Sequence, residues 1–441
     1  MAPRTTPSSG DDGPTLGAVA DDVTGGTDLA GAFVQAGLRT VQTLGLPTVP
    51  ARELLEGDEV DALVVALKTR TAPVDQAVEE SRAAARWLLE AGCRQLYEKY
   101  CSTFDSTPAG NIGPITDALM AETGSDLTVV CPAFPGTGRT VYRSHLFVGD
   151  QLLSDSGMRS HPLTPMTDSD LRRLLQAQTP SRVGALDVDV LRGGPGAVRE
   201  GLARLRADGV RMVVVDALTD ADLDVLAQAT TDLPLLTGGS GLGRALQSHA
   251  RVPQPRGNGA GAASALAPAG GLQAVLAGSC SRATLEQLEH VRDRYPRWQL
   301  DPRALAADLP AVVEQVTAWA APRLADGPVV VSASAPPEQV ARVQAELGSG
   351  VAGELVERAL AALAVRLVAA GVRRLVVAGG ESAGAVTAAL GVPALRIGPT
   401  IAPGVPWTAG TAADGSRLHL ALKSGNFGGA DFFERCWEST S

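Results

Sequence analysis

A glycine-rich segment in the second half of the chain carries residues well suited to chemistry. Gly380-Glu381-Ser382-Ala383-Gly384 follows a short apolar run, Leu375 to Ala378, and matches the G-x-S-x-G pattern of the nucleophile elbow in serine hydrolases. A strand that enters a helix through glycines also offers free backbone N–H groups and the positive end of the helix dipole to a phosphate. The segment from Gly379 therefore fits either a serine hydrolase or a phosphotransferase.

A serine hydrolase needs an acid and a histidine after the nucleophile in the chain, together with a second oxyanion donor. Asp414 and His419 are the candidates for that pair, and no H-G-G-G sequence supplies the donor. If Leu418 to Ala421 is a strand parallel to Leu375 to Ala378, His419 lies at its start, away from the serine. We therefore favour a phosphate loop in which Ser382 contacts a phosphate oxygen or caps the helix. The hydrolase and a helix cap without a ligand are the alternatives.

Two other loops of the second half also follow predicted strands. Ser279 and Ser281 come after the strand Leu272 to Ala277, and they fit either nucleotide contacts or helix caps. Lys423 and Gly425 lie in a glycine-containing loop after the last strand, so we expect that loop to face a ligand too. No Walker A motif and no protein-kinase signature set occurs, which excludes P-loop kinases and protein kinases.

Polar side chains in the first half cluster where predicted strands end. Ligands of parallel α/β sheets bind outside the carboxyl ends of the strands, so these residues should share one site. The cluster from Lys99 to Asn111 combines a cation, a carboxylate, hydroxyls and an amide, which suits a small polyhydroxy acid; a solvated loop without a ligand is the alternative. The candidates are Asp21, Asp22, Lys68, Arg70, Lys99, Asp105, Ser106 and Asn111, with Arg139 from a later loop.

Lysine is rare in this chain. Of 38 lysine and arginine residues, only Lys68, Lys99 and Lys423 are lysine. Because the chain uses arginine at generic surface positions, we expect lysine where a compact and flexible ammonium group is needed, with chance placement as the alternative.

The elements that position these residues alternate between apolar strands and amphipathic helices. Asp61 to Leu67 is a continuous apolar run, as expected for a buried parallel strand, and Pro73 to Ala91 has apolar residues at helical spacing. This alternation predicts an α/β fold of two domains, each a mostly parallel sheet flanked by helices, with the active site in the interdomain cleft. The expected divisions are a disordered tail at 1–14, domains at 15–250 and 272–441, a linker at 251–271, and a functional loop or lid at 132–167.

Composition limits the classes of partner. The net charge of −10 argues against a nucleic acid or an anionic membrane surface as the partner. Five cysteines without C-x-x-C spacing indicate reduced thiols, not a disulfide framework or a zinc site. The first residues contain no apolar signal segment, and no window approaches 18 uninterrupted apolar residues. We therefore expect a cytoplasmic protein.

Several segments together resemble the four-carbon acid sugar kinase family, and within it the 3-oxo-tetronate 4-kinases. The resemblance covers essentially the whole chain except the tail and the linker. Its most specific part is SGMRSHPLTPMTDSDL, which lies in the long loop and begins at Ser156. The other segments are ADDVTGGTDLA from Ala20, KYCSTFDSTPAGNIGP from Lys99, GGESAGAV from Gly379 and LALKSGNFGGADFF from Leu420.

The resemblance implies an enzyme that transfers a phosphoryl group from ATP, with Mg²⁺, to the C4 hydroxyl of a 3-oxo-tetronate. The N-terminal domain would bind the sugar acid and the C-terminal domain ATP. We expect ATP at Ser279, Ser281, Gly379, Gly380, Glu381, Ser382, Lys423 and Gly425, with Glu381 as a candidate for the metal, whose ligand set is unknown. Substrate contacts are expected from Lys99 and Arg139, which would hold the carboxylate, and from Lys68, Arg70, Ser106 and Asn111. The catalytic base is expected to be Asp22 or Asp21, and next Asp105.

Two positions depart from the usual pattern of the family. Many members have arginine where this chain has Ala109, and in this respect the chain resembles the 3-oxo-tetronate group. Ser382 replaces the usual threonine but keeps the hydroxyl. Kinases of D-threonate, D-erythronate or 4-hydroxythreonate are the alternatives, as is a binding protein that kept the fold and lost catalysis. The expected partner is a small-molecule sugar acid, and a homodimer is compatible with the sequence.

Overall fold

The computed structural model describes residues 14–55, 59–160, 164–246, 265–267, 269–348 and 350–440. Most of the predicted tail at 1–14 and most of the predicted linker at 251–271 lie outside the described residues, as do positions 161–163 of the long loop. In the parts of the chain that are described, no helix is long and apolar enough to cross a membrane.

The described residues form eighteen strands and fifteen α-helices. The strands are β1 Leu16–Ala20, β2 Thr40–Leu44, β3 Ala62–Ala66, β4 Gln95–Lys99, β5 Thr128–Cys131, β6 Arg139–Tyr142, β7 His145–Val148, β8 Gln151–Leu152, β9 Val183–Leu186, β10 Met212–Val215, β11 Leu235–Gly238, β12 Leu272–Ala277, β13 Arg297–Gln299, β14 Val329–Ser332, β15 Val372–Ala378, β16 Ala394–Ala402, β17 Val405–Thr411 and β18 Arg417–Lys423. The helices are α1 Val23–Gln35, α2 Ala51–Leu55, α3 Val74–Glu90, α4 Ile112–Thr123, α5 Leu171–Gln176, α6 Val188–Arg192, α7 Gly194–Ala207, α8 Asp220–Ala229, α9 Ser240–Ala245, α10 Arg282–His290, α11 Pro302–Ala320, α12 Pro337–Leu347, α13 Val351–Ala369, α14 Gly380–Leu390 and α15 Phe432–Arg435.

Fifteen of the strands form one continuous sheet, in the order β13-β14-β12-β15-β18-β17-β16-β2-β3-β1-β4-β11-β5-β10-β9. Pairing is parallel except where β17 meets β18, β16 meets β17 and β16 meets β2. The last of these pairs, from Ala394↔Thr43 to Arg396↔Val41, joins the sheet of the C-terminal half to that of the N-terminal half. The predicted fold of two α/β domains with mostly parallel sheets is confirmed, and the two sheets meet edge to edge.

The central strands are apolar along their whole length because helices cover both faces of the sheet. Every residue of β3 is buried, and so is every residue of β10. The flanking helix α3 turns Ala77, Ala84 and Leu88 toward this core and leaves its charged residues at the surface.

Helix α1 follows strand β1 almost directly. It begins at Val23, where the Asp22 carboxylate accepts the N–H of Gly25 and caps a glycine-containing first turn. The cap therefore fixes Asp22 at the N-terminal end of α1, directly after strand β1.

The segment predicted as a functional loop or lid contains regular structure. The segment 132–167, expected to be a loop or lid, contains a small antiparallel sheet of β6, β7 and β8. Its strands are only two to four residues long, which leaves too few residues for a clear alternation. Pro403 and Gly404 form the hairpin turn between β16 and β17, and Gly404 has φ 78°.

Candidate functional site

Two cavities meet at the first turn of α14. One, of about 470 Å³, lies in the C-terminal half, and its wall includes Ser279, Gln299, Gln344, Glu357, Ser382 and Gly425. The other, of about 420 Å³, is lined mainly by N-terminal residues, including Asp21, Asp22, Lys68, Arg70, Asp105 and Arg139. Gly380 and Glu381 line both cavities, so the first turn of the helix is shared between them, and we call this shared turn the junction. We call the two cavities the C-terminal cavity and the N-terminal cavity.

The turn before α14 gives the junction its chemistry. Gly379 has φ 126°, which favours glycine, and no side chain caps the helix within the described residues. The backbone N–H groups of Gly380, Glu381 and Ser382 have no partner within the helix because the first turn has no preceding carbonyl. Uncapped amides and the helix dipole attract an anion at this position.

Ser382 does not cap α14, which was one of the two roles predicted for it. The helix begins two residues before it, and its buried hydroxyl lies in the wall of the C-terminal cavity against Gly278. A Cβ atom at Gly278 would clash with the Ser382 Oγ, so the two loops pack this closely only with glycine there. The other predicted role, contact with a phosphate oxygen, stays a prediction.

Ser279 and Ser281 act differently from each other. Ser281 caps α10 by accepting the N–H of Thr284 at 3.2 Å, and its hydroxyl donates to the Gly425 carbonyl at 2.6 Å. Ser279 lines the C-terminal cavity and accepts the N–H of Ser281 at 3.2 Å. The loop after β12 is therefore tied to the loop after β18, with Ser279 on the cavity side.

Lys423 organises the loop that follows it and lines neither cavity. Its side chain is fully buried, and Nζ donates to the carbonyl oxygens of Ser424 at 3.0 Å, Gly425 at 2.9 Å and Phe427 at 3.1 Å. Burial lowers the pKa of Lys423 to about 7. Its expected contact with ATP is replaced by a role inside the fold, and residues of the loop it holds line both cavities.

A charged cluster forms the floor of the N-terminal cavity. The Arg70 guanidinium binds both carboxylate oxygens of Asp21 at 2.8 Å, and its Nη1 lies 3.0 Å from Asp22 and 3.9 Å from Asp105. Burial raises the pKa of Asp21, and the charge of Arg70 opposes that shift. Arg70 is thus committed to three carboxylates and is a poor candidate for binding an acid directly.

Two other cations line the same cavity. Lys68 is exposed and lies two residues after the end of β3, and Arg139 is the first residue of β6. The Arg139 guanidinium donates to the Thr137 carbonyl, while its buried Nε has no hydrogen-bond partner among the described residues. A buried donor without a partner is unfavourable, so a ligand oxygen at Arg139 would satisfy it.

Three predicted substrate contacts lie behind the cavity wall instead. Lys99 is buried and donates to the Tyr100 carbonyl at 2.9 Å. Ser106 is buried and accepts from Gln178 at 2.9 Å. Asn111 donates to the carbonyls of Thr69 at 2.7 Å and Ala72 at 2.9 Å. These residues hold the loops that carry Lys68, Arg70 and Asp105, so their contribution to a site is indirect.

Several residues that line the cavities carry no signal in the sequence or lie outside the predicted candidates. Glu357 belongs to the middle of α13, where a single acidic residue on a helix carries no motif. Burial raises its pKa, and the charge of Glu381 raises it further. Residues that were not named individually include Thr24, Thr103, Ser424, Asn426 and Phe427 in the N-terminal cavity, and Gln299, Gln339 and Gln344 in the C-terminal one. Thr103 lies in the predicted cluster from Lys99 to Asn111, and Ser424, Asn426 and Phe427 lie in the loop that was expected to face a ligand. The three glutamines belong to no motif of the sequence.

The geometry excludes the hydrolase triad. Strands β15 and β18 are parallel, and His419 pairs with Arg374, whereas Lys423 pairs with Ala378 at the end that leads to Ser382. His419 Nε2 forms a hydrogen bond with the Ala267 carbonyl at 3.0 Å, which holds the ring near the start of β18, at the end of the strand opposite to Ser382. The prediction that the histidine lies at the wrong end of its strand is confirmed.

Two family models match separate parts of the chain. A family model described as a sugar-binding N-terminal domain matches residues 16–246, and one described as a nucleotide-binding C-terminal domain matches residues 274–433. The C-terminal cavity lies within the second match, and most of the N-terminal cavity lies within the first.

Curated relatives and solved structures are similar over nearly the whole chain. Proteins named 3-oxo-tetronate kinase from Cupriavidus necator and Burkholderia multivorans are 53% and 52% identical, each over 96% of this chain and 96% of the relative. A crystal structure from Haemophilus influenzae is 43% identical, with a TM-score of 0.77, and covers 97% of this chain and 100% of its own. One from Salmonella typhimurium LT2, described as a tRNA synthase, is 41% identical, with a TM-score of 0.84, and covers 96% and 99%. The chain belongs to the four-carbon acid sugar kinase family, together with the relatives named 3-oxo-tetronate kinase.

Proposed function

We propose that this protein phosphorylates the C4 hydroxyl of a 3-oxo-tetronate with ATP. The observation that supports this most directly is the junction of two cavities, one in each half of the chain, at the uncapped N-terminus of α14. A phosphoryl donor in one cavity and an alcohol acceptor in the other would meet at amides that attract phosphate. We assign the acid to 15–250 and the nucleotide to 272–441.

In the reaction, the C4 oxygen forms a bond to the γ-phosphorus while the bond from that phosphorus to the β,γ-bridging oxygen breaks. The electron pair leaves with ADP, and the hydroxyl proton passes to a carboxylate. Because little covalent chemistry falls to the protein in phosphoryl transfer, positioning and charge neutralisation carry the catalysis. The N–H groups at Gly380 to Ser382 would supply part of that neutralisation, and Ser279 and Ser382 would contact the nucleotide.

Asp22 is the proposed proton acceptor. Arg70 occupies both oxygens of Asp21, whereas Asp22 is more exposed, with 27% of its side chain accessible compared with 12% for Asp21. Asp22 also lies beside Thr24, whose hydroxyl is 3.5 Å from the position of a Cβ on Gly380. Asp22 therefore lies near Gly380, at the start of α14, where the phosphate is proposed to bind. Asp105 is the second candidate, with 9% of its side chain accessible.

The residues of the C-terminal cavity fit a magnesium ion held mainly by the nucleotide. Among the described residues, no three histidine, cysteine or acidic side chains converge on one point. Two carboxylates, Glu357 and Glu381, nevertheless line the cavity. Mg²⁺ in nucleotide enzymes is bound by one or two carboxylates together with phosphates and water, which matches this donor set. We assign the ion to Glu381 and Glu357, where it would neutralise charge on phosphate oxygens when bound.

Arg139 is the proposed anchor of the substrate carboxylate. Its partnerless buried Nε and its position in the N-terminal cavity support this role. The acid would then extend from Arg139 toward Asp22 and the start of α14. We also propose a cytoplasmic location, which is supported by five cysteines that are all free thiols.

The test measures ADP release in a coupled assay with a 3-oxo-tetronate, D-threonate, D-erythronate and 4-hydroxythreonate, with and without Mg²⁺. We expect turnover that requires Mg²⁺ and is fastest with the 3-oxo acid. Phosphorus NMR of the product should show a triplet, because phosphate on C4 couples to two protons of a CH₂ group. Faster turnover of a tetronate or of 4-hydroxythreonate would assign the enzyme to that acid instead.

A paired substitution tests the assignment of the base. Asp22→Asn keeps a side chain that caps helices well, so the fold should persist while kcat falls by about 10²-fold or more. Asp105→Asn is the matched comparison. If Asp22→Asn lowers kcat by less than about tenfold and Asp105→Asn abolishes it, Asp105 is the base.

A further inference from the structure

We propose that Lys68 acts on the phosphoryl group in transfer, not on the acid, and that position 384 is glycine because the lysine side chain lies across it. This inference rests on the proposed kinase function and gives Lys68 a different role from the substrate contact expected from sequence. It concerns one contact between the two halves of the chain.

The contact joins the loop after β3 to the second turn of α14. A Cβ atom on Gly384 would lie 2.8 Å from Lys68 Cε and 3.0 Å from Lys68 Nζ, so the end of the lysine rests on the bare backbone of the helix. Lys68 also lines the N-terminal cavity, and Gly380, one turn before Gly384, lines both cavities. The ammonium group is therefore close to the junction through which a phosphoryl group would pass.

Lys68 differs from the other cations near the site in being uncommitted. Arg70 is bound to carboxylates, and the Arg139 guanidinium donates to the Thr137 carbonyl. Lys99 and Lys423 are buried against backbone carbonyls. The Lys68 ammonium is exposed and has no hydrogen-bond or ion-pair partner among the residues that the structure describes. A compact ammonium on a flexible stem can follow phosphate oxygens as charge moves during transfer.

Gly384 needs an explanation of its own. It lies inside α14 and is buried, and its φ is not among the positive values that favour glycine. Glycine inside a helix is less stable than alanine by about 1 kcal/mol. Among the described residues, and apart from the adjacent residues and the backbone of the helix itself, only Lys68 comes within 4 Å of a Cβ there, so its close approach is the steric demand at this position.

The first test replaces the lysine. Lys68→Met keeps much of the side-chain volume and removes the charge. We expect kcat to fall by about 10²-fold or more, the range seen when one group that stabilises transition-state charge is lost, while KM for the acid changes by less than about threefold. If instead KM for the acid rises more than tenfold and kcat is kept, Lys68 binds the substrate carboxylate and the proposal is wrong.

The second test fills the gap. Gly384→Ala should fold at least as well as the wild type because alanine favours the helix, yet it displaces the lysine, so we expect kcat to fall by about tenfold. In the Lys68→Met background the same change should alter kcat by less than about twofold. Equal effects in the two backgrounds would mean that Gly384 is needed for another reason, and the proposal would fail.

Two controls keep the outcomes distinct. Gly196→Ala makes the same change in α7, where an added Cβ meets nothing within 4 Å, and should leave kcat unchanged. Wild-type turnover with the four acids is measured first. A wild type that phosphorylates none of them overturns the proposed function, whereas an active wild type with an unaffected Lys68→Met variant overturns only the role of Lys68.

Discussion

Lys423 should make the stability of this protein depend on pH in a distinctive way. Its side chain is fully buried, and burial lowers its pKa from the usual 10.5 to about 7. Between pH 7 and pH 9 the folded protein loses this proton while the unfolded chain keeps it. The unfolded state then binds more protons, so the free energy of unfolding rises with pH, by about 2 kcal/mol over this interval.

The measurement is urea denaturation of the wild type and of Lys423→Met at pH 7 and pH 9. The wild type should gain about 2 kcal/mol relative to the variant as the pH rises, because methionine has no proton to lose. Buried cysteines such as Cys93, whose pKa burial raises to about 12, titrate with the opposite effect, but they are present in both proteins and cancel in the difference.

Ser281→Ala is the matched control because it loosens the same loop without removing a titratable group. Ser281 caps α10 and donates to the Gly425 carbonyl, so the variant should lose about 1 kcal/mol at both pH values. A difference between the wild type and Lys423→Met that stays constant within 0.5 kcal/mol, on the order of the error of such comparisons, would refute the argument that burial controls this lysine.

Three further outcomes follow from contacts described above. Arg70→Met should lower the free energy of unfolding by about 2–3 kcal/mol in urea denaturation, because it leaves Asp21 unpaired at a largely buried site. Arg70→Lys should not restore it, since an ammonium group lacks the two parallel N–H donors that the guanidinium offers to the carboxylate. Gly278→Ala should raise KM for ATP by pushing Ser382 aside, and adding Ser382→Ala should recover part of the loss; no recovery would argue against this clash. His419→Gln should leave kcat within about twofold, because the residue lies near the start of β18, at the end of the strand opposite to Ser382; a large loss would reopen a catalytic role.

The sequence predicted the edge at which the site lies because parallel strands impose it. Asp22, Lys68 and Asp105 follow different strands, and the rule that ligands lie beyond the carboxyl ends of strands was enough to group them. The same rule correctly separated His419 from Ser382.

The hydrogen-bond partners of individual side chains could not be predicted from the sequence. Lys99 and Lys423 read as ligand-binding cations, yet both are buried and hydrogen-bonded to carbonyls of their own loops. All three lysines lie at or just after the ends of strands, so the sequence does not distinguish the one that lines a cavity, Lys68, from the two that are buried. The contact of Lys68 with Gly384 joins positions more than 300 residues apart and could be found only in the folded chain.

The antiparallel pairing of β2 with β16 has a consequence for how the protein can be divided. Each of these strands is an inner strand of the fifteen-stranded sheet only because the other covers it. If the chain were expressed as separate halves, each half would present an uncovered strand with free N–H and C=O groups, a surface that readily recruits other chains. The halves should therefore aggregate when each is expressed alone and remain soluble when they are co-expressed. The whole chain is then the unit of folding, although its two cavities lie in different halves.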